Sequence, residues 1–419
     1  MRQFLAIVFV IAGVLTIHAQ ETEATIFAIT NGQLIDGTGA NPIENGTVIV
    51  EGERIVTVGV ADDIEIPQNA TIIDAEGGTI LPGIINAHTH RATDAGMRYP
   101  AFTQRGVTTV CDMASDLRSL DNLSETTLSN GNFAGRAGRS GPFITVEGGY
   151  PGPVHGNSLN FNITDEVSPT DAVAALQETG ATYIKIGLEP GRDNMPMLTP
   201  QQVQEIVDAA HARGMIVQAH VQTASNLEIV IDAGVDVLHH VPVPIDYLQQ
   251  NIATLLMLQE DEAIELPEDL LTQLQRAIEA DIILVPTLDV LIPEEEVNPL
   301  FQVYQRVTLA IAQHYIESGG RIAAGNDYGN PGVQSGMMVR EMQLLQEAGL
   351  SPLEVITAST FHAAQVCHMV EDIGTLEPGK YADIIIVNGN PLDDLTLMDE
   401  VVFIMGNGTE IPVRQRRSR

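Results

Sequence analysis

The sequence predicts an α/β protein: a (β/α)8 TIM-type barrel joined to a composite β-sandwich domain made by the N- and C-terminal segments. Three observations carry this reading. Eight short apolar runs alternate with helical patterns between residues 83 and 324, and eight parallel βα units are the number that closes a barrel. Short β-like runs broken by turn residues occupy both ends of the chain. Histidine, lysine and aspartate fall at the ends of the apolar runs, the face on which such barrels build their sites.

In chain order, residues 1–19 read as a secretory signal. Arg2 supplies the positive start, residues 4–17 the apolar stretch, and Ala19 a small residue for cleavage near Gln20. The stretch is short for a membrane span, which needs about 20 apolar residues. No second segment is apolar and long enough, so a secreted or periplasmic protein is expected, with no membrane attachment after signal removal. Residues 20–80 alternate apolar runs with Asn31-Gly32, Asp36-Gly37, Asn45-Gly46 and Gly77-Gly78, which are turn signals between strands.

Residues 81–372 make the expected barrel. Strands are predicted at 83–87, 107–111, 143–146, 183–186, 216–219, 235–238, 282–285 and 321–324. The first connection is short, so its helix should be short or irregular. Thr199-Pro200 caps a helix that Gly214 stops, and Ser351-Pro352 opens another expected to run to about Val366. Residues 373–413 return to β character, with strands at 383–387 and 401–405. Barrel termini usually lie together, so 20–80 and 373–413 should pair; 414–419 is a basic tail.

The formal net charge of −35 repels phosphate backbones, which argues against a nucleic-acid partner. The 44% hydrophobic content is that of a globular chain and excludes disorder as the dominant state. Cys111 and Cys367 match no metal spacing, and whether they pair is open at this level. A homo-oligomer is compatible with the sequence but not specified by it.

The chemistry lies at the strand ends. His88-Thr89-His90 closes the first strand, and residues two apart on a strand point the same way, so both imidazoles can reach one ion. Lys185 sits inside an apolar strand, where an ammonium is costly. Either a carboxylate pairs with it or the side chain snorkels to water, or it is a neutral amine that captures carbon dioxide as a carbamate. His220, His239-His240 and Asp327 follow strands five, six and eight. Neutral imidazoles and carboxylates suit zinc and similar divalent ions, and two such ions can share one hydroxide.

These residues resemble the amidohydrolase superfamily. Residues 81–90, Leu-Pro-Gly-Ile-Ile-Asn-Ala-His-Thr-His, are similar to its first-strand signature, 106–110 to its second strand, and 375–383 to the return into its flanking β-domain. The resemblance implies a binuclear metal hydrolase in which metal hydroxide attacks an amide, peptide or cyclic amide carbonyl. It implies that His88, His90 and Asp327 hold one metal, that His220 and His240 hold the second, and that carboxylated Lys185 bridges both, the metals being two divalent ions, most often Zn. Alignment of Ala233 to His240 with the sixth-strand motif selects His240 over His239, which stands where relatives are often acidic. Asp327 would move the proton, and His155 would contact the substrate carbonyl. Tyr150, Gln222 and Arg98 are further pocket candidates. The branch resembled includes Xaa-Pro dipeptidases and imidazolonepropionase relatives, which implies a small-molecule or short-peptide substrate. Two departures stand against simple transfer of substrate. Gln222 occupies a place where part of that branch carries Tyr, and the 148–156 loop is only roughly the family's.

The alternatives are a mononuclear deaminase on the same fold, or an inactive structural relative. Lys185 speaks against the first. The presence of all six ligand residues speaks against the second.

Overall fold

The computed structural model describes residues 24–90, 92, 99–117, 135–191, 194–259, 262–292 and 298–414. The signal reading at 1–19, Arg98 and the tail beyond Arg414 lie outside the described residues.

The N-terminal strands are β1 (Ile26–Leu34), β2 (Ile43–Glu51), β3 (Arg54–Val60), β4 (Thr71–Asp74) and β5 (Thr79–Pro82). The barrel region holds β6 (Ile84–Thr89), β7 (Val107–Asp112), β8 (Arg136–Arg139), β9 (Phe143–Val146), β10 (Asn160–Ile163), β11 (Ile184–Gly187), β12 (Val217–His220), β13 (Val237–His239), β14 (Ile283–Val285) and β15 (Arg321–Ile322). The C-terminal strands are β16 (Ile384–Val387), β17 (Val401–Gly406) and β18 (Thr409–Glu410).

Both chain ends build one mixed sheet in the order β18-β17-β16-β5-β1-β2-β3, with β4 also on β1. The strands form one continuous hydrogen-bonded sheet, not the two sheets of the expected sandwich, and β1 pairs with β4 through its first half and with β5 through its last two residues. The change of partner falls at Gly32, where a Cβ would stand 2.8 Å from both Ala75 Cβ and the Gly78 carbonyl. Only glycine lets β1 pass there. Ile29, Val48, Val50, Ile80, Ile384 and Ile386 form the core of this sheet, so its stability draws on both ends of the chain.

The barrel strands form two parallel arcs, β10-β9-β11-β12-β13-β14-β15 and β6-β7-β8. Backbone bonds cross both seams: Thr182 N–H donates to Arg139 O at 2.7 Å, and Ala87 N–H donates to Ala324 O at 2.9 Å. The third strand departs from the sequence reading. Its first part, β8, pairs with β7, and its second part, β9, pairs with β11 after a break at 140–142. The polar run Arg136-Ala137-Gly138-Arg139 concealed the first part.

The helix capped by Thr199 forms as Pro200–His211, with a capping box between Thr199 and Gln202. The helix expected from Ser351 to Val366 is instead two helices, Pro352–Ala358 and Phe361–Val366. The cause is competition for carbonyls. Ala358 O accepts from Ala324 N–H and Ser359 O from Ile85 N–H, both barrel residues, at 2.9 Å each. Those bonds replace the helical ladder at the junction.

The second of these helices packs its Ala363, Ala364 and Val366 against Ile85, Ala87, Val237 and Ile283 of the strands. Cys367 at its end is disulfide-bonded to Cys111 of β7, 256 residues apart in sequence. Among the described residues no helix is long and apolar enough to cross a membrane.

Candidate metal centre

The candidate ligands converge at the C-terminal ends of the strands. Among the described residues, His88, His90 and Asp327 place one ligand atom each within 4.8 Å of one another. His88 Nε2 lies 3.1 Å from His90 Nε2, and Asp327 Oδ1 lies 3.4 Å and 3.1 Å from the two ring nitrogens. The His240 ring stands 5.0 Å from that of His88 and 4.4 Å from that of His220.

Local sequence explains this convergence. Gly325 brings strand eight against strand one: a Cβ there would stand 2.6 Å from His88 N. The amide of Asn86 donates to Asn326 Oδ1 at 2.7 Å, and Asn86 Oδ1 accepts from the backbone of His88 and Asn326. His240, Thr287 and Asp327 all adopt positive φ, at 68°, 52° and 57°. For a β-branched threonine that is a costly conformation, of order 1–3 kcal/mol. It brings the Thr287 hydroxyl within 2.8 Å of His240 Nδ1, which leaves Nε2 as the ring nitrogen without a partner.

Burial sets the electrostatics. His88, Lys185 and His239 are fully buried, and His220 and His240 nearly so. Desolvation, first of all, pushes the imidazoles of His88, His220 and His239 well below their usual value and that of His240 down to about 3. All four are neutral at pH 7, the state a metal ligand requires. Burial likewise drives the Lys185 amine well below its usual value, with Asp327 opposing. Burial would raise Asp327, but His90, His240 and Lys185 outweigh it and hold the carboxyl below its ordinary range.

The fit to divalent cations is seen in what lacks a partner. Lys185 Nζ, His220 Nε2 and His240 Nε2 are buried with no hydrogen-bond partner. Asp327 Oδ1 is likewise buried with no donor in line, although His90 Nε2 is 3.1 Å away. Native proteins rarely leave such atoms unsatisfied, and a cation site is one explanation.

The site opens into a cavity of about 560 Å³ lined by His90, His220, His240 and Asp327, and by Tyr150, His155 and Gln222. Tyr150 stacks on His220 with ring centroids 4.3 Å apart. His155 stands at the exposed lip, 5.9 Å from the Tyr150 ring. Sequence reasoning missed Glu189, Met195, Val290 and Leu291, which also line the cavity. Glu189 is held by the Thr223 hydroxyl at 2.9 Å. It lies two residues beyond β11, a placement like that of the other candidates, and this was the available signal. Thr287, a neighbour of His240, and Gln218, a neighbour of His239, were also missed; no motif marks them.

The profile of the Amidohydrolase family matches residues 79–411, most of the chain and every candidate ligand. The chain belongs to this family. Family membership implies the TIM-barrel-type α/β fold. The chain is 25% identical to ochratoxinase of Aspergillus niger, over 91% of this chain and 85% of that one. It is 23% identical to imidazolonepropionase of Geobacillus sp. (strain WCH70), over 82% and 84%. Among solved structures, a Bifidobacterium longum protein assigned as a prolidase superposes with a TM-score of 0.76 at 25% identity, covering 94% of this chain and 97% of that one. A Xaa-Pro dipeptidase with bound methionine superposes at 0.71, with 22% identity and coverage of 92% and 100%, and shares the fold.

Proposed function

We propose that this amidohydrolase cleaves carbon–nitrogen bonds of small amides, short peptides or cyclic amides at a binuclear metal centre. The observation that carries the reading is the close grouping of His88, His90 and Asp327, together with the buried, unpartnered Lys185 Nζ, His220 Nε2, His240 Nε2 and Asp327 Oδ1. His88, His90 and Asp327 would hold one divalent ion, with zinc the natural choice for this donor set. His220 and His240 would hold the second. Lys185, buried with its amine pushed toward the neutral form, would carry a carbamate shared by both. This arrangement fits strands closed as an eight-membered barrel, with β8 and β9 together as the third strand.

Divalent ions held there supply Lewis acidity toward a carbonyl oxygen and toward water. The remaining work belongs to the chain. Asp327, ionised at neutral pH and facing the cavity, accepts a proton from the attacking water and returns it to the leaving nitrogen. His155 and Tyr150 stand where a substrate carbonyl would be held. Phe143, Val154, Leu159, Val290 and Leu291 give the cavity an apolar wall suited to an acyl or side-chain group. The names of the ochratoxinase, imidazolonepropionase and prolidase relatives support a carbon–nitrogen hydrolase. The leader-like pattern read at 1–19 and the Cys111–Cys367 disulfide favour export to an oxidising compartment.

The test is metal content together with a hydrolysis screen. Protein purified without chelator should carry about two ions per chain, and dipeptides, N-acyl amino acids, hydantoins and lactones form the screen. Lys185→Ala should abolish activity, with partial return on adding short carboxylic acids. Full activity without rescue would remove the carbamate bridge. One ion per chain would favour a mononuclear deaminase, and none an inactive relative.

A further inference from the structure

His239 lies outside the ligand set, yet it is fully buried against it. Its Nδ1 is 2.8 Å from His88 Nδ1, and its Nε2 is 2.7 Å from Gln218 Oε1. Gln218 Nε2 in turn donates to the Val366 carbonyl at 2.7 Å. The direction of every bond in this chain is fixed from one end. A backbone carbonyl only accepts, so the Gln218 amide must turn its NH2 group to Val366 and its oxygen to His239. Facing an oxygen, His239 Nε2 carries the proton. A neutral His239 then has a bare Nδ1, which accepts. His88 Nδ1 is therefore the protonated nitrogen. Its Nε2 keeps the lone pair, and that atom is the one facing His90 and Asp327.

We propose that His239 is a positioning residue: held by Gln218 and the Val366 carbonyl, it locks His88 in the one tautomer that can ligate a divalent cation through Nε2. The inference rests on the reading of His88 as a metal ligand. A carboxylate beside His88 Nδ1 could only accept. An imidazole can accept or donate, so a third group has to decide for it, and Gln218 does so. The anchor at Val366 precedes Cys367, so the disulfide-tethered helix also fixes the far end of the chain of bonds. Partners of this kind orient a ligand ring and raise its basicity, and losing one costs about 10- to 100-fold in metal affinity.

The test measures zinc affinity of metal-free protein by competition with a chromophoric chelator, with thermal melting of the metal-free form as the control for folding. His239→Leu should weaken the tighter zinc site by about 10- to 100-fold, and Gln218→Met, which leaves His239 free to take either tautomer, by about tenfold. His239→Glu, which restores an acceptor, should recover affinity to within about threefold of the parent. A purely structural role would not separate the Glu variant from the Leu variant. The proposal is overturned if folded His239→Leu binds zinc like the parent, or if His239→Glu is as weak as His239→Leu. Should His239→Leu fail to fold, Gln218→Met decides: parent-like affinity overturns the proposal, and the loss supports it. A parent chain that takes up no zinc overturns the metal reading itself, and this proposal with it.

Discussion

Gly325→Ala is the sharpest small perturbation of the site. The added methyl would stand 2.6 Å from His88 N, 2.9 Å from His88 Cβ and 3.0 Å from the Ala87 carbonyl carbon. The first contact is about 0.8 Å short of ordinary van der Waals distance. The obstruction is largely backbone of strand β6, so side-chain rotation cannot relieve it. Either strand eight retreats or β6 does, and the bond from Ala87 N–H to Ala324 O stretches with it. Asp327 follows two residues later, so the retreat moves it away from His88 and His90. A displacement near 1 Å in a reacting constellation can cost about 10²-fold in rate, and overpacking a core costs about 1–3 kcal/mol. We therefore expect kcat/KM on the best substrate of the screen to fall by about two orders of magnitude. Zinc affinity should fall too, while the protein remains folded by circular dichroism. Activity within threefold of the parent in a folded variant would show that the seam between strands one and eight does not position Asp327.

Two further outcomes follow from burial and topology. The metal-free protein should lose stability in acid: His88, His220, His239 and His240 have folded pKa values below their unfolded ones, so the unfolded chain binds more protons as pH falls through about 6.5. The loss is about 1 kcal/mol per histidine per pH unit below that point, read as a falling Tm between pH 7.5 and 5.5, and bound zinc should suppress it. Replacing Cys111 and Cys367 together by Ala opens a loop whose ends are 256 residues apart. Loop-closure entropy sets the destabilisation at up to about 5 kcal/mol, lowering the melting point by several degrees; an unchanged Tm would mean that the crosslink adds nothing to the packing around it.

The parts of the site that were legible in the sequence were those with rare chemistry in a repeating frame. His88, His90, Lys185, His220, His240 and Asp327 each interrupt or end an apolar run, and that repeat is what made them candidates for one face. What stayed hidden depends on contacts between distant segments. The split at Ser359-Thr360 arises because two barrel N–H groups, from Ala324 and Ile85, take helical carbonyls. Nothing local announces it, and Ser351-Pro352 correctly marked the start. The third strand was half seen because Phe143–Val146 is largely apolar while Arg136–Arg139 carries two arginines and no apolar run. His239 was visible only as an imidazole in an unexpected place. Its role emerged once Gln218 was seen at its far nitrogen, and that glutamine lies on the neighbouring strand β12, 21 residues earlier.

The placement of β5 has a consequence for how the chain is made. This strand runs straight into β6 through Gly83, and it lies between β1 and β16. During synthesis its β1 side can be filled at once, by residues already made. Its other side must wait for Ile384–Val387, some 300 residues later, with the whole barrel produced in between. Until then the nascent protein carries an apolar, unpaired strand edge, the kind that recruits other chains. Ribosome-bound intermediates ending before residue 384 should therefore engage chaperones, and release of that engagement should coincide with the emergence of the last three strands.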